Sequence, residues 1–249
     1  MSMTGPARMS GGRTGGDGEA PLMECAEVRF LSAEDVESLV TLEEGKWDED
    51  QAASAAELAA RIQAYPQLCV GAFTADGVAL ASLFMKPITV GELRASATWS
   101  DCAEVRTSDQ AGTRSLFGIS LSSIDATAVM AIFEFFWPYA LKSGWRDIYL
   151  GSPMPGLRGW KMSNPEGSPT SYMREKRHGM PRDPQLRYYY NKGFREILEC
   201  KPGYFPHPAS LDHGALLRGR IPLAAGAPLW RLVPLPWLQL MRKTLFRLV

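Results

Sequence analysis

The stretch DPQLRYYYNKGFREI, residues 183–197, predicts a short helix, a tight stop and the beginning of a strand. Asp183 is of a residue type that caps helices, and Pro184 suits the first helical position, where its missing N–H is not needed. Gly193 suits the left-handed residue at which many helices end. Residues 194–200 then predict a strand.

Three consecutive tyrosines occupy the end of this predicted helix. Tyr189 and Tyr190 share one helical face with Leu186, whereas Tyr188 points about 100° away from Tyr189. At least one tyrosine is therefore expected to pack in the core. Another can present its hydroxyl group at the edge of a sheet, and the residues by themselves leave open whether that hydroxyl has a function.

The composition excludes several classes of protein. The chain has 249 residues, 45% of them hydrophobic, which suits one large or two small domains with a sizeable core. Its 27 basic and 27 acidic side chains give no general attraction to nucleic acid, so no nucleic-acid partner is expected. Four scattered cysteines and three histidines predict no metal site and favour a reducing cytoplasm. No apolar run is long enough to predict a membrane-spanning helix.

The chain divides into three predicted segments. Residues 1–22 are rich in glycine and serine and predict a disordered tail, residues 23–222 form the domain, and residues 223–249 form a C-terminal extension. Within the domain the predicted order is β-α-α-β-β-β-α-β-α-β-β, which indicates an α/β domain with a mixed sheet. Residues 94–112 are expected to be irregular. Residues 152–182 predict a long loop after the fifth strand, of the kind that often covers a binding site.

This order of elements resembles that of the GNAT N-acetyltransferase superfamily, and the resemblance covers roughly residues 25–222. Its most specific part is LRYYYNKGFRE, which looks like the helix and turn that precede the last hairpin in many of these enzymes. The resemblance implies a mixed, mostly antiparallel sheet flanked by helices. It also implies that Tyr189, four residues before Gly193, is the catalytic residue whose hydroxyl group protonates the departing CoA thiolate.

A narrower resemblance connects several further stretches to a GNAT-like acyltransferase and decarboxylase subgroup of polyketide and secondary-metabolite pathways. These stretches are ATWSD (97–101), LFGISL (116–121), YLGSPMPGL (149–157) and GYFPHPASLDHGALL (203–217). Members of this subgroup load an acyl group from CoA onto a carrier-protein thiol or remove CO2 from a malonyl group. The decarboxylating members carry a histidine that we place at the Tyr189 position, so the tyrosine here argues against decarboxylation.

The segment SSIDATAVM, residues 122–130, departs from the superfamily pattern. Most GNAT enzymes have a glycine-rich loop with a basic residue here, and its N–H groups bind the CoA pyrophosphate. This segment has neither, although its position makes Asp125, Ala126 and Thr127 the expected cofactor-binding residues. Asp125 would repel a phosphate, and it also suits a simple helix cap. The expected consequence is that CoA binding is weakened or lost, with a carrier-protein arm as the alternative donor.

Four side chains are candidates for substrate binding. Trp99 corresponds to an aromatic residue near the acyl pocket in the resembling proteins, or is an ordinary buried tryptophan. Ser152 and Arg158 follow the fifth strand, where ligands meet open α/β sheets, and Arg158 can hold a carboxylate or a phosphate. His178 lies in the long loop. Solvated loop residues are the alternative interpretation of Arg158 and His178.

The fourth strand is expected to hold the acyl carbonyl through its backbone. The resemblance implies this role for four successive residues: Gly118, Ile119, Ser120 and Leu121. Since the contact is made by the main chain, the side chains carry no signal for it.

The C-terminal residues 235–249 predict a basic amphipathic helix. A helix from Trp237 onward places Trp237, Leu238 and Met241 on one broad apolar face, with basic residues opposite. Such a helix can dock onto the domain or a protein partner, which we favour, or lie on a membrane surface.

The sequence therefore favours an acyltransferase. Its donor would be acetyl-CoA or a related acyl thioester, and its acceptor an amine, another small molecule or an acyl carrier protein. Two alternatives stay open: a GNAT-fold binding protein that has lost CoA, and a malonyl decarboxylase that acts with a carrier protein.

Overall fold

The computed structural model describes residues 25–46, 52–105 and 112–247. Seven strands form one twisted sheet in the order β1-β2-β3-β4-β5-β9-β8, in which β4 and β5 run parallel and all other neighbours run antiparallel. The strands are β1 (Glu27–Phe30), β2 (Cys69–Phe73), β3 (Ala79–Pro87), β4 (Ser115–Ser123), β5 (Asp147–Pro153), β8 (Glu196–Lys201) and β9 (Gly214–Arg220). A separate hairpin consists of β6 (Lys176–Arg177) and β7 (Met180–Pro181).

Helices cover both faces of this sheet. The first four are α1 (Val36–Glu44), α2 (Ala55–Ala64), α3 (Val90–Ala95) and α4 (Trp99–Ala103), and they share one apolar cluster with β4 residues Phe117 and Ile119. The others are α5 (Ala126–Ser143), α6 (Leu157–Ser163), α7 (Pro169–Arg174), α8 (Pro184–Asn191), α9 (Ala227–Trp230) and α10 (Leu235–Arg247). Helices α5 and α8 pack on the opposite face, against Leu116 and Leu150 respectively. The prediction of a mixed, mostly antiparallel sheet flanked by helices is confirmed.

Two segments predicted to be irregular contain helices. Within 94–112, helix α4 occupies residues 99–103, and Trp99 is its first residue. Helix α3 also extends into this segment, and each of the two helices begins with a capping box, Thr89 with Glu92 and Thr98 with Asp101. The predicted long loop 152–182 contains α6, α7 and the β6–β7 hairpin. These elements are too short for a periodic apolar pattern to stand out in the sequence.

The predicted tail, residues 1–22, lies outside the described residues. At the other end, α10 packs against α5, and the side chain of Leu238 is fully buried there. Trp237 is exposed, so the predicted single apolar face is wrong: the domain covers Leu238 and leaves Trp237 in solvent. None of the described helices is long and apolar enough to cross a bilayer.

The loop between β8 and β9 packs two aromatic rings onto β5. A Cβ atom at Gly151 would lie 2.4 Å from Tyr204 Cε1 and 3.1 Å from Phe205 Cζ. A Cβ atom at Gly214, at the start of β9, would lie 2.3 Å from Tyr204 Cδ1. Both glycines therefore leave space that the ring of Tyr204, itself fully buried, fills. This contact fixes the loop 202–213 over the carboxyl end of β5.

We predict that Gly151→Ala lowers the free energy of unfolding by about 1–3 kcal/mol, because the added methyl group must displace the Tyr204 ring. Urea denaturation measures this change. The control is Gly159→Ala on α6, where a Cβ atom meets nothing within 4 Å. That variant should be neutral or more stable by up to about 1 kcal/mol. Equal stability of Gly151→Ala and the wild type would contradict the packing described.

Candidate active site

Strands β4 and β5 pair only at one end. Four residue pairs join them, from Ser115 with Asp147 to Gly118 with Leu150, and both strands continue beyond the last pair. β4 stays paired with β3 as far as Ser123, and β5 stays paired with β9 as far as Pro153. The sheet therefore opens between residues 119–123 and 151–153.

A bulge in β4 lies at the apex of this opening. Phe84 pairs with Ser120 and Met85 pairs with Gly118, so Ile119 is an additional residue with no partner of its own on β3. A bulge of this kind bends the strand and changes the direction of its backbone groups. Ser120 Oγ is buried and has no hydrogen-bond partner among the described residues. The structure thus places all four predicted backbone residues, Gly118, Ile119, Ser120 and Leu121, at the opening, where an unpaired strand edge can accept and donate hydrogen bonds.

Helix α8 brings Tyr189 to the α5 side of the sheet. Its ring packs against an apolar cluster that contains Leu150, the last β5 residue to pair with β4. The ring centroids of Tyr189 and Phe194 are 5.9 Å apart, and those of Tyr189 and Tyr188 are 5.4 Å apart. Burial raises the pKa of Tyr189 to about 12, although a hydrogen bond with the Gln185 side chain acts in the opposite direction. The phenol is therefore neutral, and it can donate a hydrogen bond, at every physiological pH.

Asp183 fixes the start of α8. Its Oδ1 atom accepts hydrogen bonds from the backbone N–H groups of Gln185 and Leu186, at 2.9 and 3.2 Å. Its Oδ2 atom accepts from the Tyr172 hydroxyl at 2.9 Å and from Gly156 N at 3.0 Å. One buried carboxylate thus caps α8 and connects it to α6 and α7, and it determines where Tyr189 lies.

Aromatic side chains cover the other face of the opening. Trp99 N donates to Tyr204 O at 3.1 Å, and the ring centroids of Trp99 and Phe205 are 6.3 Å apart. Phe205 packs over Gly151, on the strand segment that has separated from β4. Tyr204 donates from its hydroxyl group to Cys102 Sγ at 3.6 Å, and burial raises the pKa of that hydroxyl. The structure therefore brings Trp99 close to the β5 side of the opening, opposite to the face that carries Tyr189.

The N-terminus of α5 is closed by the chain's own side chains. Asp125 Oδ1 accepts from Thr127 N at 2.8 Å and from the Thr127 hydroxyl at 2.5 Å, and these bonds hold the pKa of Asp125 below its usual range. Ser123 Oγ accepts from Asp125 N and donates to Asp125 O. Asp125, Ala126 and Thr127 thus form a capped turn in which a carboxylate occupies the position where a helix could bind an anion.

The other predicted residues serve the surrounding structure. Ser152 is fully buried, and its hydroxyl group donates to Pro153 O at 2.9 Å. Arg158 Nε donates to Pro208 O at 2.8 Å, so this side chain is attached to the loop 202–213. His178 lies exposed at the turn of the β6–β7 hairpin with a φ of 52°, next to Gly179 with a φ of 79°. Two successive positive φ angles are typical of a tight hairpin turn, which gives His178 a local conformational role.

Sequence reasoning missed three features that shape the site: Asp183 as a bridge between helices, and Tyr204 and Phe205 as the wall opposite Tyr189. The sequence identifies Asp183 only as a helix cap. The signal for the two aromatic rings is weak, since it consists of two small residues, Gly151 and Gly214, on neighbouring strands that the sequence does not pair.

The folded chain is similar to two solved structures along almost their entire lengths. One is the GphF GNAT-like decarboxylase in complex with isobutyryl-CoA, with 21% identity, a TM-score of 0.64, and coverage of 78% of this chain and 99% of that one. The chain has the GNAT fold. The other structure is the loading GNATL domain of CurA from Lyngbya majuscula, with 18% identity, a TM-score of 0.67, and coverage of 78% and 97%. No family model and no curated protein matches the sequence.

We predict that the Tyr189 hydroxyl group ionises at a higher pH than an ordinary tyrosine, because burial raises its pKa. Its pKa of about 12 predicts that the ring-carbon NMR signal of Tyr189 stays constant up to about pH 11, whereas an ordinary tyrosine titrates near pH 10. Labelled tyrosine, with the signal assigned through Tyr189→Phe, allows this measurement. A Tyr189 midpoint at or below pH 10 would contradict the raised pKa of this half-buried phenol.

Proposed function

We propose that this chain is an acyltransferase that takes an acyl group from a thioester and passes it to an amine or a thiol. The observation that carries the proposal is the opening between β4 and β5 at Gly118 and Leu150. A narrow opening with an unpaired strand edge suits an extended amide-containing arm, because the strand can pair with it as with another strand. The thioester carbonyl would lie at the Ile119 bulge.

The two faces of the opening would supply the two halves of the reaction. The acceptor would enter past Trp99 and Phe205, and its lone pair would attack the carbonyl carbon of the thioester. The carbon–sulfur bond then breaks, and the thiolate departs on the Tyr189 side. With a pKa of about 12, Tyr189 is a weaker acid than a thiol, so its best role is to donate a hydrogen bond to the developing thiolate. The acceptor loses a proton when it is acylated, and an equivalent proton converts the departing thiolate into a thiol.

The N-terminus of α5 fits the pyrophosphate of CoA poorly. The N–H group of Thr127 already donates to Asp125, and the negative charge of this carboxylate repels phosphate. A phosphopantetheine arm on a carrier protein has the same thiol end but no pyrophosphate. We therefore favour a carrier-bound acyl thioester over free acyl-CoA as the donor, in a pathway of specialised metabolism. The similarity of the fold to a loading domain, that of CurA, is in keeping with this choice.

The closed α5 N-terminus also favours a second candidate, a GNAT-fold protein that binds a partner without transferring an acyl group. One assay distinguishes this binding protein from an acyltransferase and from a decarboxylase. Acetyl and malonyl groups are offered on CoA and on a carrier protein, and mass spectrometry follows the acyl arm while released CO2 is collected. Transfer supports our proposal, CO2 from the malonyl donor supports a decarboxylase, and neither product with any donor supports the binding protein.

We predict that Asp125→Asn binds CoA about two- to fivefold more tightly than the wild type, since asparagine keeps the helix cap and removes the charge. Calorimetry with free CoA measures the effect. Asp76→Asn is the matched control, because it removes the charge of an exposed carboxylate in the β2–β3 turn. Equal CoA affinities of Asp125→Asn and Asp76→Asn would show that Asp125 does not oppose the pyrophosphate.

We predict that Tyr189→Phe lowers the rate of thioester transfer about 100-fold and leaves donor affinity nearly unchanged, because the hydroxyl group acts only as the thiolate develops. Rates and donor affinity are measured on the same carrier-bound substrate. Tyr188→Phe makes the same chemical change on an exposed ring and should alter the rate by less than about twofold. An unchanged rate in Tyr189→Phe would remove this residue from the reaction.

A further inference from the structure

The C-terminal extension, residues 223–249, is attached to the domain by specific contacts. Leu238 is fully buried against α5. Gln239 Nε2 donates to the Tyr139 hydroxyl at 2.9 Å, and Arg242 Nε lies 3.6 Å from Glu134 Oε1. Lys142 Nζ donates to two carbonyl groups of the segment that leads into α10, those of Arg231 and Val233. Helix α10 is therefore held in one orientation, with one face inward and the other toward solvent.

The docked extension leaves four large apolar side chains exposed to solvent. Trp237 is 62% exposed and Leu240 is 79% exposed, and the two residues are three positions apart, which places them side by side on the helix. The residues just before α10 add Leu229 at 66% and Leu232 at 80%. A helix that has already buried an apolar face against its own domain ordinarily presents polar residues outward. Here the outward face of α10 contains Trp237 and Leu240, and the segment before it exposes Leu229 and Leu232.

All the charged side chains of the extension are basic. Residues 223–249 contain Arg231, Arg242, Lys243 and Arg247 and no aspartate or glutamate. Arg242 is compensated by Glu134 of the domain. Arg231 and Lys243 are exposed; the Arg231 guanidinium lies near Gly144 at the end of α5, and Lys243 follows Leu240 by three residues on α10. Apolar side chains bordered by cations are complementary to a surface that offers both hydrocarbon and negative charge.

We propose that this face, consisting of Leu229, Leu232, Trp237 and Leu240 with Arg231 and Lys243, binds the surface of an anionic lipid bilayer. Tryptophan and leucine side chains enter the boundary between headgroups and acyl chains, and the cations contact lipid phosphates. A second copy of the chain fits the same face poorly. A two-fold contact would bring Arg231 and Lys243 of both copies together without an acidic residue of the extension to balance them. The proposal does not depend on the acyl transfer proposed above.

Vesicle sedimentation of the full chain tests this inference. The wild type should sediment with vesicles of phosphatidylglycerol and phosphatidylcholine, and it should stay in solution with phosphatidylcholine alone. Trp237→Ser combined with Leu240→Ser should weaken the binding at least about tenfold, since both side chains lose their apolar contact with the bilayer. Arg231→Glu combined with Lys243→Glu should weaken it as well and should remove its dependence on salt concentration.

Met162→Ser is the matched control, because Met162 on α6 is 81% exposed and lies outside the extension. It should sediment like the wild type. Three results would overturn the proposal: no sedimentation of the wild type with anionic vesicles, equal sedimentation of the Trp237 and Leu240 double variant, or self-association of the wild type that this double variant abolishes. Analytical ultracentrifugation without lipid detects the last of these and would assign the face to a second copy.

Discussion

The partial pairing of β4 with β5 is the constraint on which the rest of the site depends. Beyond the last pair between them, Gly118 with Leu150, β4 stays paired with β3 and β5 stays paired with β9. The sheet therefore has an opening between β4 and β5, while the β3–β4 and β5–β9 hydrogen bonds on either side of it are kept. Buried backbone groups need partners, and an unpaired strand edge in the middle of a sheet is accordingly a place where a ligand can bind.

The elements around the opening place different side chains on its two faces. Asp183 orients α8 through four hydrogen bonds, and α8 carries Tyr189 to one face. On the other face the ring of Tyr204 fixes the β8–β9 loop over Gly151, and Phe205 and Trp99 form an aromatic wall. The opening thus has a phenol on one face and an apolar wall on the other, an arrangement that suits the transfer proposed above.

The sequence predicted those features that depend on neighbouring residues. Asp183, Pro184 and Gly193 define a helix and its end by local chemistry, and the long β4 and α5 segments have clear apolar patterns. Short helices such as α4 and α6 were missed because one or two turns carry no visible period. The fit of Tyr204 against Gly151 and Gly214, and the division of α10 into a buried and an exposed face, depend on the packing of distant segments. Such contacts leave almost no local signal.

Hydrogen exchange of the backbone amides in the presence of acetyl-phosphopantetheine is the most direct test of a thioester site between β4 and β5. Our account predicts slower exchange on ligand addition in residues 119–121, where the edge of β4 is unpaired, and no change in residues 115–117, which already pair with β5. Unchanged exchange in residues 119–121 at a saturating concentration of the ligand, or protection only at a distant segment, would contradict it.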